Sequence, residues 1–256
     1  MNTLAPQICR SARRHHRGFT LIELMVAITL GIFLVGGLLM MVQSTRSAFG
    51  NQQLLAQLQD NERLVMTFMA EVVESTGYFP NPALYSSTNV FLAPSGVFAT
   101  PGQAVFGTYN AVAPGDTVTI RYAAGLNDNV FNCRGLTNTA VGPYDVFVNK
   151  FWVDNTNPNN PVLTCTVSST VIAPTNVPLV NGVQSLSIQY GVKRSIADTG
   201  SCADTYLLAN QMLVSDWPNV CSINVTISFT NPLNPAGPPI PIRRVIATMN
   251  AAGVNS

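Results

Sequence analysis

In the stretch RRHHRGFTLIELMVA, Arg13 to Ala27, one carboxylate stands in apolar surroundings. From Phe19 to Val42 the only charged residue is Glu23. A carboxylate in hydrocarbon is costly unless a cation meets it. Gly18 and Phe19 offer a way to make that cation. Cutting the peptide bond between them would create an α-amino group at Phe19, four residues before Glu23. Positions four apart on a helix share a face, so amine and carboxylate could pair. Within one chain that terminus frays, and the better partner for Glu23 is the amino terminus of an adjacent copy.

Other chemistry-bearing side chains are scarce. Both histidines, His15 and His16, precede Gly18, so a chain cut there would contain none. Ser-His-Asp triads, Cys-His pairs and His-ligated zinc sites all need one, and most hydrolase functions are excluded with it. Of the five cysteines, Cys9 precedes Gly18 and leaves an even set: Cys133, Cys165, Cys202 and Cys221. Four cysteines allow three pairings. The pairing of sequence neighbours, Cys133–Cys165 and Cys202–Cys221, is favoured because each crosses a candidate hairpin connection. Loops of this size would each gain about 3–4 kcal/mol from closure. No C-x-x-C spacing supports a metal site, and neither a metal nor a cofactor is expected. Asp198, Asp204 and Asp216 cluster around Cys202, but without EF-hand spacing a solvated loop is a better reading than calcium. Trp152 adjoins Phe151 on a candidate strand and reads as core; Trp217, before Pro218, reads as a packed loop anchor.

The elements that would position these residues follow from periodicity. Leu24 to Val42 runs without a charge, and as a helix would be about 28 Å long, close to a bilayer's hydrocarbon thickness. Arginines at 10, 13, 14 and 17 precede it with no acid, which predicts a cytoplasmic N-terminus with the bulk of the chain outside. An ordinary cleaved signal peptide fits less well, since the apolar run is too long and MMVQSTR, not a small-residue site, follows it. An uncleaved anchor would leave Glu23 unexplained. Beyond it, Leu54, Leu58, Val65, Phe68, Met69 and Val72 recur at helical spacing, with Leu55, Leu64 and Val73 widening the stripe. Such a stripe is core, not a cofactor site. Gly77 and Pro80 end the helix, giving one element of about 55 residues by this count. Alternation then predicts strands at Thr117–Tyr122, Val146–Val153, Val162–Val167, Leu186–Tyr190, Ser222–Phe229 and Ile242–Met249. Residues 154–161 suit a hairpin turn, 231–241 a proline-rich loop, and 78–116 an irregular connection. The fold class is α+β: a long N-terminal α-helix, membrane-spanning then amphipathic, packed on an antiparallel β-sheet as a roll. The chain is 10% charged, and residues 19–256 have no basic field, so nucleic-acid binding is not expected.

GFTLIELMVA behind a short basic leader resembles the type III signal of type IV pilins and type II secretion pseudopilins. The resemblance implies cleavage after Gly18 by a membrane prepilin peptidase, methylation of the Phe19 amine, and a helix that becomes filament core. It also implies that Glu23 pairs with a neighbouring subunit's N-terminus. The chain departs from the commonest pilin pattern in lacking a helix proline, carrying Gly31, Gly36 and Gly37 instead. LQDNERLVMTFMAEVVESTGYF, DTVTIRY, PLVNGVQSLSIQYGV and the final strand pair resemble PilW-type minor pilins. The implied organisation is a cleaved leader (1–18), a transmembrane or filament-core helix (19–42), an amphipathic helix (43–77) and a periplasmic β-rich domain (78–256). The implied role is non-enzymatic: a minor pilin that joins other minor pilins and the major pilin to initiate assembly, near the tip. The implied partners are the prepilin peptidase, the inner-membrane assembly platform, a tip adhesin, and membrane lipid before assembly. A type II secretion pseudopilin of the J kind is the alternative within filaments. A membrane-anchored periplasmic enzyme or binding protein is the alternative outside them.

Overall fold

A computed structural model describes residues 18–140, 142–194 and 202–249. The basic leader, with Cys9, His15 and His16, lies outside the described residues, as does Asp198 of the candidate calcium cluster. Helix α1 spans Leu21–Glu74, 54 residues, uninterrupted at Gly31, Gly36, Gly37 and Gly50. Threonine hydroxyls along it are satisfied locally. Thr29 Oγ1 donates to Met25 O (3.0 Å) and Val26 O (2.9 Å), and Thr45 Oγ1 to Met41 O (2.8 Å), a common solution for hydroxyls in apolar helices. The helix ends as expected. Gly77 takes φ +79°, and its N–H donates to Arg121 O at 3.0 Å, tying the helix end to the sheet.

The chain divides after Gln52 into two units. In the first, the described residues from Leu21 onward are exposed except the half-buried Gly36. In the second, α1 buries Val65, Met66, Met69, Ala70, Val72 and Val73. These join one apolar core with residues of both sheets, each fully buried side chain contributing about 1.5–3 kcal/mol. Leu54, Leu55 and Leu64 of the predicted stripe are exposed, and Leu58 and Phe68 half-buried.

The strands form two antiparallel sheets. In the first, β1 (Val105–Thr108), β2 (Thr117–Ala124), β3 (Asp145–Asp154), β4 (Val162–Ser168) and β5 (Thr175–Asn181) lie in sequence order. In the second, β6 (Val183–Val192), β7 (Thr205–Leu207), β8 (Ser222–Phe229) and β9 (Ile240–Ala247) run β7-β6-β8-β9. All six expected strands are present, and 154–161 is the predicted hairpin turn, with Asp154 paired to Val162. Strands β1, β5 and β7 and the one-turn helix α2 (Ser87–Val90) were not expected, because each is short or, in β5, contains Pro178. Proline is tolerated there because β5 is an edge strand. Edge position also explains why β9 begins at Ile240, inside the expected loop. Thr248 N–H donates to Cys221 O (2.9 Å); by alternation the nitrogen of Pro241 faces the free edge, where its missing proton breaks no ladder bond.

The sheets are joined at two glycines. Gly182, φ +78°, carries the chain from β5 into β6. Gly115, φ +92°, brings β2 against β6: the Asp116 N–H donates to Leu186 O (2.7 Å), and the Ile188 N–H to Asp116 Oδ2 (2.7 Å). A Cβ on Gly115 would lie 2.1 Å from Leu186 O.

Two assignments are corrected. Trp152 is not core. On β3 the inward phase is Phe147, Asn149, Phe151 and Val153, all buried, which turns Trp152 outward and half-buried. Asp204 and Asp216 do not belong to a merely solvated loop: both accept hydrogen bonds from Arg194. Trp217 is the loop anchor expected, 7% exposed, with ring centroids 5.2 Å from Phe106 and 4.9 Å from Tyr190. The outer face of the first sheet is partly covered by residues 79–103, which form a second small core of Val90 and Phe91 over Ala123.

Candidate assembly site at the helix N-terminus

Gly18, Phe19 and Thr20 approach α1 without helical structure and are exposed. Thr20 fixes where the helix starts. Its Oγ1 accepts the Glu23 N–H (3.3 Å) and its carbonyl accepts the Leu24 N–H (3.1 Å), so Thr20 is the N-cap. The segment TLIE has the T-x-x-E spacing of a capping box, the sequence signal for a role that attention to the charge of Glu23 obscures. Glu23 lies in the first turn, where the helix dipole favours an acid. It is exposed, and among the described residues nothing engages its carboxylate.

Farther along, Ile28, Gly31, Ile32, Val35, Gly36 and Leu39 line one shallow apolar groove. A Cβ on Gly31 or Gly36 would meet nothing within 4 Å, so the glycines leave room for close approach by another helix. An 18-residue window of α1 has mean hydropathy 2.5 with none of it buried; by length and composition it can cross a membrane.

The remaining sequence-selected residues are not brought to this site. Cys133–Cys165 and Cys202–Cys221 are both disulfides, with Cα–Cα distances of 6.4 and 6.1 Å. The first is buried; the second joins exposed Cys202 to buried Cys221. Among the described residues no group of three or more His, Cys, Asp and Glu side chains could hold a metal. Charged groups of the β-rich part serve its packing. Arg194 Nη2 meets Asp216 Oδ2 at 2.5 Å, and the Leu213 N–H donates to the same oxygen at 2.8 Å. Burial alone would raise the Asp216 carboxyl, but these bonds and the guanidinium charge hold it below the usual carboxylate range. Arg121, 2% exposed, donates to the carbonyls of Gln103 (2.6 Å), Leu92 (3.0 Å) and Phe91 (3.2 Å) and lies 4.2 Å from the Phe98 ring centroid. Burial lowers its pKa to about 10, so it stays charged at neutral pH. It pins residues 91–103 to the sheet.

Comparison with known proteins gives the N-terminal motif its context. A family model described as prokaryotic N-terminal methylation motif matches residues 13–39. Another, described as type IV pilus-assembly protein W, matches residues 150–236. The pilin-like protein PilA3 of Thermus thermophilus is 27% identical over 195 residues, covering 73% of this chain and 74% of its own. Over the matched residues the chain is similar to type IV pilin-like proteins, most like PilW-type minor pilins. Pilins of this kind are structural subunits, and the pilin-like chain has the corresponding parts: an apolar N-terminal helix and a β-rich α+β body. The region matched by the assembly-protein model runs from β3 past β8 and contains Cys165, Cys202 and Cys221. The motif suggests anchoring in a membrane and incorporation into a pilus.

Proposed function

We propose that this protein is a minor pilin that helps to initiate a type IV pilus together with other minor pilins, near the fibre tip. Prepilin peptidase removes residues 1–18, the new Phe19 amine is methylated, and residues 19–42 hold the subunit in the inner membrane until extraction. Residues 43–77 continue the helix into the periplasmic domain, 78–256. On assembly, the Glu23 carboxylate pairs with the amino terminus of a neighbouring subunit, and the groove around Gly31 and Gly36 receives its helix. Major pilin, the inner-membrane platform and a tip adhesin are the remaining partners.

One observation carries this reading: Glu23 is exposed and unengaged among the described residues, one turn into an apolar helix whose preceding Gly18–Phe19 junction is also exposed. Two substitutions separate the steps. Gly18→Leu should leave the leader attached, as read by intact mass of the membrane fraction. Glu23→Ala should be cleaved normally yet be depleted at least tenfold from sheared pili. Normal incorporation of the Glu23→Ala chain would refute the pairing.

A further inference from the structure

The first sheet carries one aromatic side chain that no core uses. Trp152 lies on the outer face of β3, half-buried, and joins neither apolar cluster. Its indole N–H donates to Thr166 Oγ1 (3.0 Å), and that hydroxyl donates to Asn176 Oδ1 (2.8 Å). The indole's one polar group is therefore satisfied internally, and what remains for a partner is an apolar ring face.

The strand register fixes the surroundings. Thr164 stands opposite Trp152, and Thr166 and Thr119 opposite Lys150; Asn176 lies beyond Thr166 on β5. Thr164 is only 4% exposed, so Trp152 and its neighbours cover it. Lys150 and Asp154 flank Trp152 on the same face, about 7 Å away on either side along the strand. Lys150 is exposed, and among the described residues no acid pairs with it. Asp154 accepts the Thr156 N–H (3.0 Å) and the Thr156 hydroxyl. The aromatic is thus rimmed by the Thr166 hydroxyl, the Asn176 amide and one charge of each sign, with Thr119 and Thr164 buried beneath. None of the exposed large apolar side chains belongs to β2, β3, β4 or β5.

We propose that this face is a docking platform for a neutral polysaccharide, one pyranose ring stacking on Trp152 while its hydroxyls reach Asn176, Lys150 and Asp154. A pyranose has an apolar C–H face and a polar edge, which the Trp centre and hydroxyl-amide rim match. Aromatic anchors of protein interfaces are instead enclosed by well-packed, water-excluding contacts. The sheet face is flat, whereas small ligands favour concave sites; an extended polymer can gather contacts along it. The opposed charges of Lys150 and Asp154 cancel, which selects a neutral chain over an acidic one.

The test uses the full chain in detergent micelles with cellohexaose and chitohexaose as neutral probes and polygalacturonate as the acidic one. Emission from Trp152 should change on binding a neutral probe, with Trp217, 7% exposed, contributing little. Titration should be unaffected by raising the salt concentration. Trp152→Ala should weaken binding at least tenfold, and Asp154→Asn, at a half-buried position at the end of β3, severalfold. Circular dichroism checks the fold of both variants. Lack of binding to either neutral probe overturns the proposal. So does binding that Trp152→Ala leaves intact, or preferential, salt-sensitive binding of polygalacturonate.

Discussion

At the scale of single residues, similar side chains do different work according to burial. Glu23 is an acid left exposed on an apolar helix; Asp216 is a buried acid whose Oδ2 accepts two hydrogen bonds. Because its folded-state pKa is depressed, Asp216 adds stability that is complete above the ordinary carboxylate range and is lost as pH falls through its own lower value. Asp216→Asn should therefore lower the melting temperature at neutral pH, with the difference from the native chain closing in acid. A difference that does not vary with pH would show that the charge is irrelevant. Arg194 is 40% exposed, so solvent screening should keep the effect below about 1 kcal/mol. Thr20 makes a second case. Thr20→Ala should cost about 1 kcal/mol of helix capping, seen as faster amide exchange at Glu23 and Leu24 without loss of the rest of α1.

Elements depend on a few junction positions. Gly115 lets β2 approach β6 closely enough for Asp116 to bond the β6 backbone, and neither its φ of +92° nor the 2.1 Å approach to Leu186 O admits a side chain. Gly115→Ala should destabilise the β-rich unit by more than about 1 kcal/mol, measured by urea unfolding, whereas Gly135→Ala, with a positive φ but nothing within 4 Å, should cost less. Equal costs would mean that φ alone matters. Most of this level was legible in sequence. Six strands and the helix end at Gly77 follow from period and turn chemistry. Strand β5 was not, because Pro178 counts against a strand until its edge position is known. Trp152 was misassigned although a signal existed: Lys150 shares its parity on β3, and a lysine marks the outward phase. The opposite phase contains Asn149, whose side-chain oxygen accepts the Cys133 N–H at 2.9 Å inside the core.

Across the whole molecule, covalent cross-links divide between the sheets. Cys133–Cys165 anchors the connection between β2 and β3 to β4, and Cys202–Cys221 ties the approach to β7 to the start of β8. The oxidised mature chain should weigh less than its reduced form by the mass of four hydrogens; a chain with four alkylatable thiols would contradict the pairing. Loss of the buried Cys133–Cys165 by paired alanine substitution should cost about 2–5 kcal/mol. Partial exposure of Cys202 makes the second bond the one expected to react first with a mild thiol reductant.

The sequence by itself determined the features written locally: the apolar run and its single acid, the Gly18–Phe19 junction, the capping spacing at Thr20, and the alternating strands. Each depends on neighbours within a turn or a strand. Only the tertiary structure decided that the nine strands of the described residues separate into two sheets, that Arg121 is buried among carbonyls, that Asp204 and Asp216 gather on Arg194, and that Trp152 faces outward. Those outcomes depend on which segments cross in space, and contacts between residues dozens of positions apart leave no period in the chain.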